Sequence, residues 1–509
     1  MKKNLILVIT FGLFAWLFLG YQAVDKDNTL VIGGPFEFTS QDLSKDGYIY
    51  TRMQVAESLF EVQSNGNIES KLASSYEVSE DGLKWQFHVR NGVRFHDGDL
   101  LTAESVVLSL SHALQKPGVL NQIPLKKLYV EGDVTVIELA EPYRPLLAIL
   151  SHFSTAILAP DSFDSEGQVV DIQGTGPYRA SVIAPPHKLN VTRFDDYWGD
   201  KPSIEEVHYL TGHRAESRAL QAQSGQADLI YTLDPASIDL LNSSENLTVH
   251  SLSIPRTVLL KLNNEHRFLN SEHTRQALSL ALDRHGISEH IVRVENSEAN
   301  QLFPPSLSDW HLVNAEGATR NLPKAQELLK SQGWELNQEN LLQRNDEVFE
   351  LTLVTYADRP ELTVIATAIQ AQLKELGVAI DVSVDNSSAI PAKHQDGTLE
   401  LALIARNFGT ISDPLAILLD DTKHHIGSDW GPMNWSSQEL NRILNDMVLS
   451  QDDSYRELAQ QASVILAKEM PLIPVVYYTQ QVSVNNRVQN FQFDPFENNY
   501  RVSEMYFAQ

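Results

Sequence analysis

The chain has 509 residues, too many for one ordinary domain and enough to bury a large core in two or three lobes. Its 66 Asp and Glu against 39 Lys and Arg leave a net charge of −27, which argues against a phosphate backbone or an anionic membrane surface as partner, since both would be repelled. There is no cysteine, which removes disulfides, thiolate metal sites, thiol catalysis and acylation of an N-terminal cysteine together.

Met1-Lys2-Lys3 and the apolar run from Leu5 to Val24 read as an export signal. The run approaches the length that crosses a bilayer, and bulky Tyr21 spoils a small-x-small cleavage site at Ala23. The segment 1–24 is therefore a signal peptide cleaved near Ala23 or an N-terminal anchor. Strands and helices then alternate without repeats or low-complexity linkers, which predicts an α/β protein with mixed sheets. A first strand is expected over 29–32 and a helix over 50–60, with a turn at Asn65-Gly66. Trp85, Phe87 and Val89 alternate with Lys84, Gln86, His88 and Arg90, the period of a half-buried strand. Asn91-Gly92 is a hairpin dipeptide, so a second short strand is expected over 93–95, closing at Asp97-Gly98. Thr102 is placed to cap a helix whose Val106, Val107, Leu110 and Ala113 recur at helical spacing. A strand is expected over 134–139 and a helix over 146–151. Gly174-Thr175-Gly176-Pro177 then makes a tight turn into another strand. Its spacing is not that of a phosphate loop, and no Lys-Ser/Thr follows.

Motifs of catalysis are missing from the chain: there is no Gly-x-Ser-x-Gly elbow and no His-Glu-x-x-His. His96-Asp97-Gly98-Asp99 looks like a metal cluster, but the turn already accounts for Asp97-Gly98. His424-His425 lies in a polar, glycine-bounded segment, 420–431, and imidazole binds nickel and zinc well. Among sixteen histidines an adjacent pair also arises by chance.

Several strings resemble, in order, the peptide/nickel family of periplasmic substrate-binding proteins, which deliver solutes to ABC importers. They are Arg90-Asn91-Gly92-Val93-Arg94-Phe95-His96-Asp97-Gly98, Gly174-Thr175-Gly176-Pro177-Tyr178, and Tyr197-Trp198-Gly199-Asp200-Lys201-Pro202. Three more follow: TVLLKLNN at 257–264, TRQALSLALDR at 274–284 and IPVVYY at 473–478. The resemblance implies a two-lobed periplasmic binding protein fold with mixed sheets. Lobe I would take 29–256 plus 482–509, lobe II 260–478, and the chain would cross near 256–264 and 475–484 to form a hinge. It further implies a non-enzymatic periplasmic receptor, a monomer needing no cofactor, whose partners are an inner-membrane permease with its ATPase and a small ligand or peptide.

Within that family the cargo is nickel or another metal as an organic chelate, or a small peptide. A membrane-anchored sensor or an enzyme on the same fold is a remote alternative. In the nickel branch a loop histidine after an Asp-Pro pair contacts the chelate, and His424 and His425 follow Asp413-Pro414 at about that distance. The branch's carboxylate-holding arginine has no counterpart over 150–157, where this chain carries His152 and Phe153. For a peptide, each buried charge needs a partner: Asp413 stands where the family binds the ammonium, and Arg359 where dipeptide receptors bind the carboxylate. Arg406 is a further candidate cation, and Tyr48, Tyr50, Phe408, Trp430 and Trp435 are candidate aromatic walls.

Overall fold

The structure, a computed structural model, describes residues 28–508 apart from 213, 314–318, 358, 424–429, 432 and 451–453. Its organising element is a pair of long antiparallel strands, Leu247–Leu262 and Leu472–Asn485, at the middle of a ten-stranded sheet. On one side, Leu229–Tyr231 pairs with the far end of Leu472–Asn485, through Leu229 with Val484 and Tyr231 with Val482. Thr29–Gly34 and Glu206–Thr211 continue outward as parallel neighbours, and Lys188–Arg193 and Tyr178–Ala184 close that edge. On the other side, Leu401–Asn407 pairs with residues 256–262, and Glu350–Tyr356 and Ala379–Asp385 extend the sheet in parallel. Each half of the long pair thus belongs to a different lobe. Between the halves the register shifts twice, from Ser253 to Thr257 and from Val258 to Leu259. Pro255, which has no N–H to donate to a ladder, sits inside the first break.

Buried side chains follow this division. One cluster gathers Leu259, Leu353, Leu403 and Ile473, with Trp310 and Trp334. A second gathers Leu30, Ile49, Tyr209, Leu229 and Val482. A third lies beneath a separate four-stranded sheet made of Ala73–Val78, Lys84–Val89, Val134–Leu139 and Leu125–Glu131. It also takes Ile411 and Ala416, so this sheet's layer touches the helix Pro414–Asp421 of the other lobe. Polar contacts reinforce the touch: Gln122 Nε2 donates to Asp420 Oδ2 at 2.6 Å, and Arg144 Nη1 to the Ser450 carbonyl at 3.0 Å.

Several local expectations hold. Trp85 and Phe87 are buried along Lys84–Val89, and Thr102 caps the helix Ala103–Ala113 in a reciprocal box with Ser105. The helix expected over 50–60 instead spans Leu43–Arg52, because Asp42 caps it from the Ser44 N–H, and Phe60–Val62 is a strand. The hairpin expected at Asn91-Gly92 also differs. Lys84–Val89 pairs with Ala73–Val78 and Val134–Leu139, while 93–95 keeps only an isolated bridge from Arg94 to Leu100. Val93 and Phe95 are fully buried there, so core packing outweighs ladder formation.

The first three strings that carry the family resemblance are scaffold. Glu57, 8% exposed, accepts from Thr175 Oγ1 (2.8 Å), Tyr197 Oη (2.9 Å) and Trp198 Nε1 (3.0 Å). His96 binds the same turn twice, its N–H to the Gly174 carbonyl and its ring Nε2 to the Gly176 carbonyl, both at 2.9 Å. A Cβ on Gly174 or Gly176 would stand 2.1 or 2.0 Å from the carbonyl oxygens of Val55 and Gln54, which explains both glycines.

Candidate functional site

Between the lobes lies a cleft of about 890 Å³. Its lobe I wall begins at the helix Leu43–Arg52, where Tyr48 faces the opening. Residues two apart on a helix point to opposite sides, so Tyr50 faces inward. Tyr50 is fully buried, sits edge-on to Phe38 and donates to the Ser40 carbonyl at 2.9 Å, which makes it a core residue and not the expected cleft wall. Tyr48 donates to the Glu37 carbonyl and packs edge-on against Phe36 and Phe153. The Arg52 guanidinium lies 4.9 Å from the Phe36 ring centre and 5.3 Å from that of Tyr48, which stiffens this aromatic wall.

The facing wall comes from the ends of lobe II strands. Trp430 stacks on Tyr356 with ring centres 5.5 Å apart. Arg359 precedes the helix Pro360–Leu376 and donates to Tyr478 Oη at 2.9 Å. Burial opposes its charge, but Tyr478, Tyr356 and Glu361 outweigh burial and hold the guanidinium protonated above its ordinary range. Arg406 also lines the cleft, yet its Nε and Nη2 meet Asp421 at 3.1 and 2.8 Å, so its charge is already answered. Arg256, which the sequence reading passed over, reaches the same wall. Its only local signal is a charge, one of two with Lys261, in the otherwise apolar stretch SIPRTVLLKL.

Tyr48, Arg359, Arg406 and Trp430 therefore come together around one cavity. Phe408 and Asp413 do not. Phe408 is fully buried against Phe303, with its N–H on the Pro255 carbonyl. Asp413 caps the helix Pro414–Asp421 through the Leu415 N–H at 2.9 Å and accepts from Tyr455 Oη. Burial raises its pKa above the ordinary carboxyl range. A cap between proline and a buried phenol leaves it away from the cleft wall, contrary to the expected ammonium contact. His424 and His425 lie outside the described residues. His152, where an arginine was sought, is 5% exposed, and burial pushes its imidazole down to about 3, so it is a neutral core group. Acidic groups are present as well: Glu37 and Glu216 line the lobe I side of the cleft.

No helix among the described residues is long and apolar enough to cross a membrane. The nickel-binding periplasmic protein of Escherichia coli is 25% identical over 470 residues, covering 88% of each chain. Among solved structures, NikA from Staphylococcus aureus in complex with Ni(L-His)2 superposes with a TM-score of 0.81 at 21% identity, over 94% of this chain and all of that one. The oligopeptide-binding protein AppA from Bacillus subtilis, in complex with a nonapeptide, gives 0.80 at 21% identity, over 94% and 99%. The model of the bacterial extracellular solute-binding proteins, family 5 Middle, matches residues 67–423, so the chain belongs to that family of two-lobed binding proteins.

Proposed function

We propose that this protein is the solute receptor of an ABC importer, capturing nickel or another metal as an organic chelate in the interlobe cleft and passing it to an inner-membrane permease and its ATPase. The observation that carries this reading is the make-up of the cleft wall. Arg359 and Arg256 stand beside Tyr48, Tyr356 and Trp430, a set that repels a bare cation and attracts acid groups joined to planar or apolar parts. A metal would thus be held through its chelator's carboxylates. His424 and His425 are the candidates for a direct contact to the ion.

A small peptide is the second reading. Glu37 and Glu216 favour it, because they offer a counter-charge to an ammonium in the same cavity whose arginines face a carboxylate.

In this proposal the register break at 253–258 is the hinge, and lobes 29–256 with 482–509 and 260–478 close over cargo. The segment 1–24 directs export to the periplasm, cleaved or kept as an anchor, and the receptor acts as a monomer with no resident cofactor. Native mass spectrometry with elemental analysis, on protein purified from the periplasm of its own cells, tests the cargo. Nickel or a related ion with a chelator mass supports the first reading. A bound peptide without metal replaces it with the second.

A further inference from the structure

Arg256 lies in the stretch where the two long strands lose register, so its side chain leaves the ladder at the junction of the lobes. It is 5% exposed, and its Nη2 pairs with Glu497 Oε2 at 2.5 Å. Its Nε and Nη1 are buried and meet no acceptor among the described residues, although the residue lines the cleft. Buried donors are almost always matched, so two idle ones on one guanidinium point to an acceptor that arrives from outside.

The surrounding charges agree. Arg359 stands close by, and both guanidiniums lie over the Tyr478 ring, 5.1 and 4.9 Å from its centre. Burial, and then the Arg359 charge, lower the pKa of Arg256. Arg52 adds a third cation, its Nε on the Glu497 carbonyl at 2.6 Å, against the carboxylates of Glu497 and Glu361. Burial raises the pKa of Glu361. The cluster therefore carries excess positive charge beside unused donors.

We propose that Arg256 is an anion anchor of the cleft: its unmatched Nη1 donates to a carboxylate of the cargo, so the cargo is a carboxylate-bearing molecule whose acid group reaches the junction of the lobes. This rests on the receptor reading above and assigns the residue that holds the cargo's acid group. The side-on fork of a guanidinium is Nε with Nη2, and Glu497 holds Nη2, so the cargo's acid meets Nη1 through a single charge-assisted hydrogen bond.

Calorimetric titration of the intact protein tests it with two probe pairs: nickel–L-histidine against nickel–L-histidinamide, and dialanine against dialanine amide. The acid of at least one pair should bind about 30-fold or more tightly than its amide, the lower end for removing one partner of a buried charge pair. Arg256→Gln should cut that ratio about tenfold or more, whereas Glu497→Gln, which breaks only the ion pair, should preserve it. If Arg256→Gln does not fold, Arg256→Lys decides, since it keeps the charge and loses the guanidinium's Nη1 donor: the ratio must fall. An unchanged ratio in the Arg256 variant, or an equal fall in Glu497→Gln, overturns the anchor. Acid and amide binding alike overturns the anchor and leaves the receptor reading intact. Failure of every probe to bind overturns both cargo classes and the anchor with them.

Discussion

Arg406 and Asp421 form a pair whose side chains are each 7% exposed, so solvent and salt screen it little. Two parallel hydrogen bonds, 2.8 and 3.1 Å, join them across the strand Leu401–Asn407 and the helix Pro414–Asp421. Asp421→Ala removes the carboxylate and leaves a buried guanidinium, at a cost of about 3–5 kcal/mol. For a cooperative unit of about 150–250 residues, each kcal/mol moves Tm by about 2–4 °C, so the lobe II transition should fall by roughly 6–20 °C. Trp310 and Trp334 sit in the same core, so tryptophan fluorescence during thermal and urea unfolding reports that transition. Replacing both partners, Arg406→Met with Asp421→Leu, removes the charge together with its counter-charge and should restore most of the loss. A loss below about 1 kcal/mol in the single variant, or a double variant as unstable as the single, would refute the buried-pair argument.

Other consequences can be measured in the same way. Tyr48→Ala should weaken cargo binding with little loss of stability, while Tyr50→Ala should cost about 3–5 kcal/mol, as for other large buried rings. The reverse ranking in paired calorimetry and urea titrations would contradict the helix-face assignment. His152 titrates near 3 in the folded protein against an ordinary 6.5, so the unfolded chain takes up a proton first as pH falls. Its contribution to stability is whole above about pH 6.5 and shrinks on acidification, by about 2 kcal/mol at pH 5. His152→Asn keeps an acceptor for the Ser154 N–H and should lack that share of the acid loss; identical pH profiles would count against a neutral buried imidazole. Gly176→Ala places a methyl against the Gln54 carbonyl and should cost at least about 1–3 kcal/mol, seen as a lower Tm for the lobe I transition.

Local chemistry made much of the scaffold readable. Thr102 was legible as a cap because apolar residues recur at helical spacing just after it, and the turn at 174–177 was legible from its glycines and proline. The helix over 43–52 was displaced because its apolar pattern continues past Arg52, and the Asp42 cap decides the start. The strand over 93–95 failed for a different reason: its side chains pack into the hydrophobic core, and its backbone pairs only with 98–101 in one short turn.

The site divided along the same line. Arg359 was accessible from motif position and Trp430 only as one of several candidate aromatics, and both line the cleft. Asp413 carried an equally good motif, yet the Leu415 N–H and the Tyr455 hydroxyl both donate to its Oδ1 and hold it as a helix cap. Tyr48 and Tyr50 differ by half a helical turn, a distinction that needs the helix start before it can be drawn.

By itself the sequence determined the fold family, because turns, caps and strand alternation are interactions between near neighbours, and their order along the chain is itself diagnostic. Only the tertiary structure decided which charges face cargo. Arg256 meets Glu497 across 241 residues of chain, and its free donors are set by a register break between two strands far apart in sequence. No local pattern encodes a register, since it is fixed by the packing of both lobes at once.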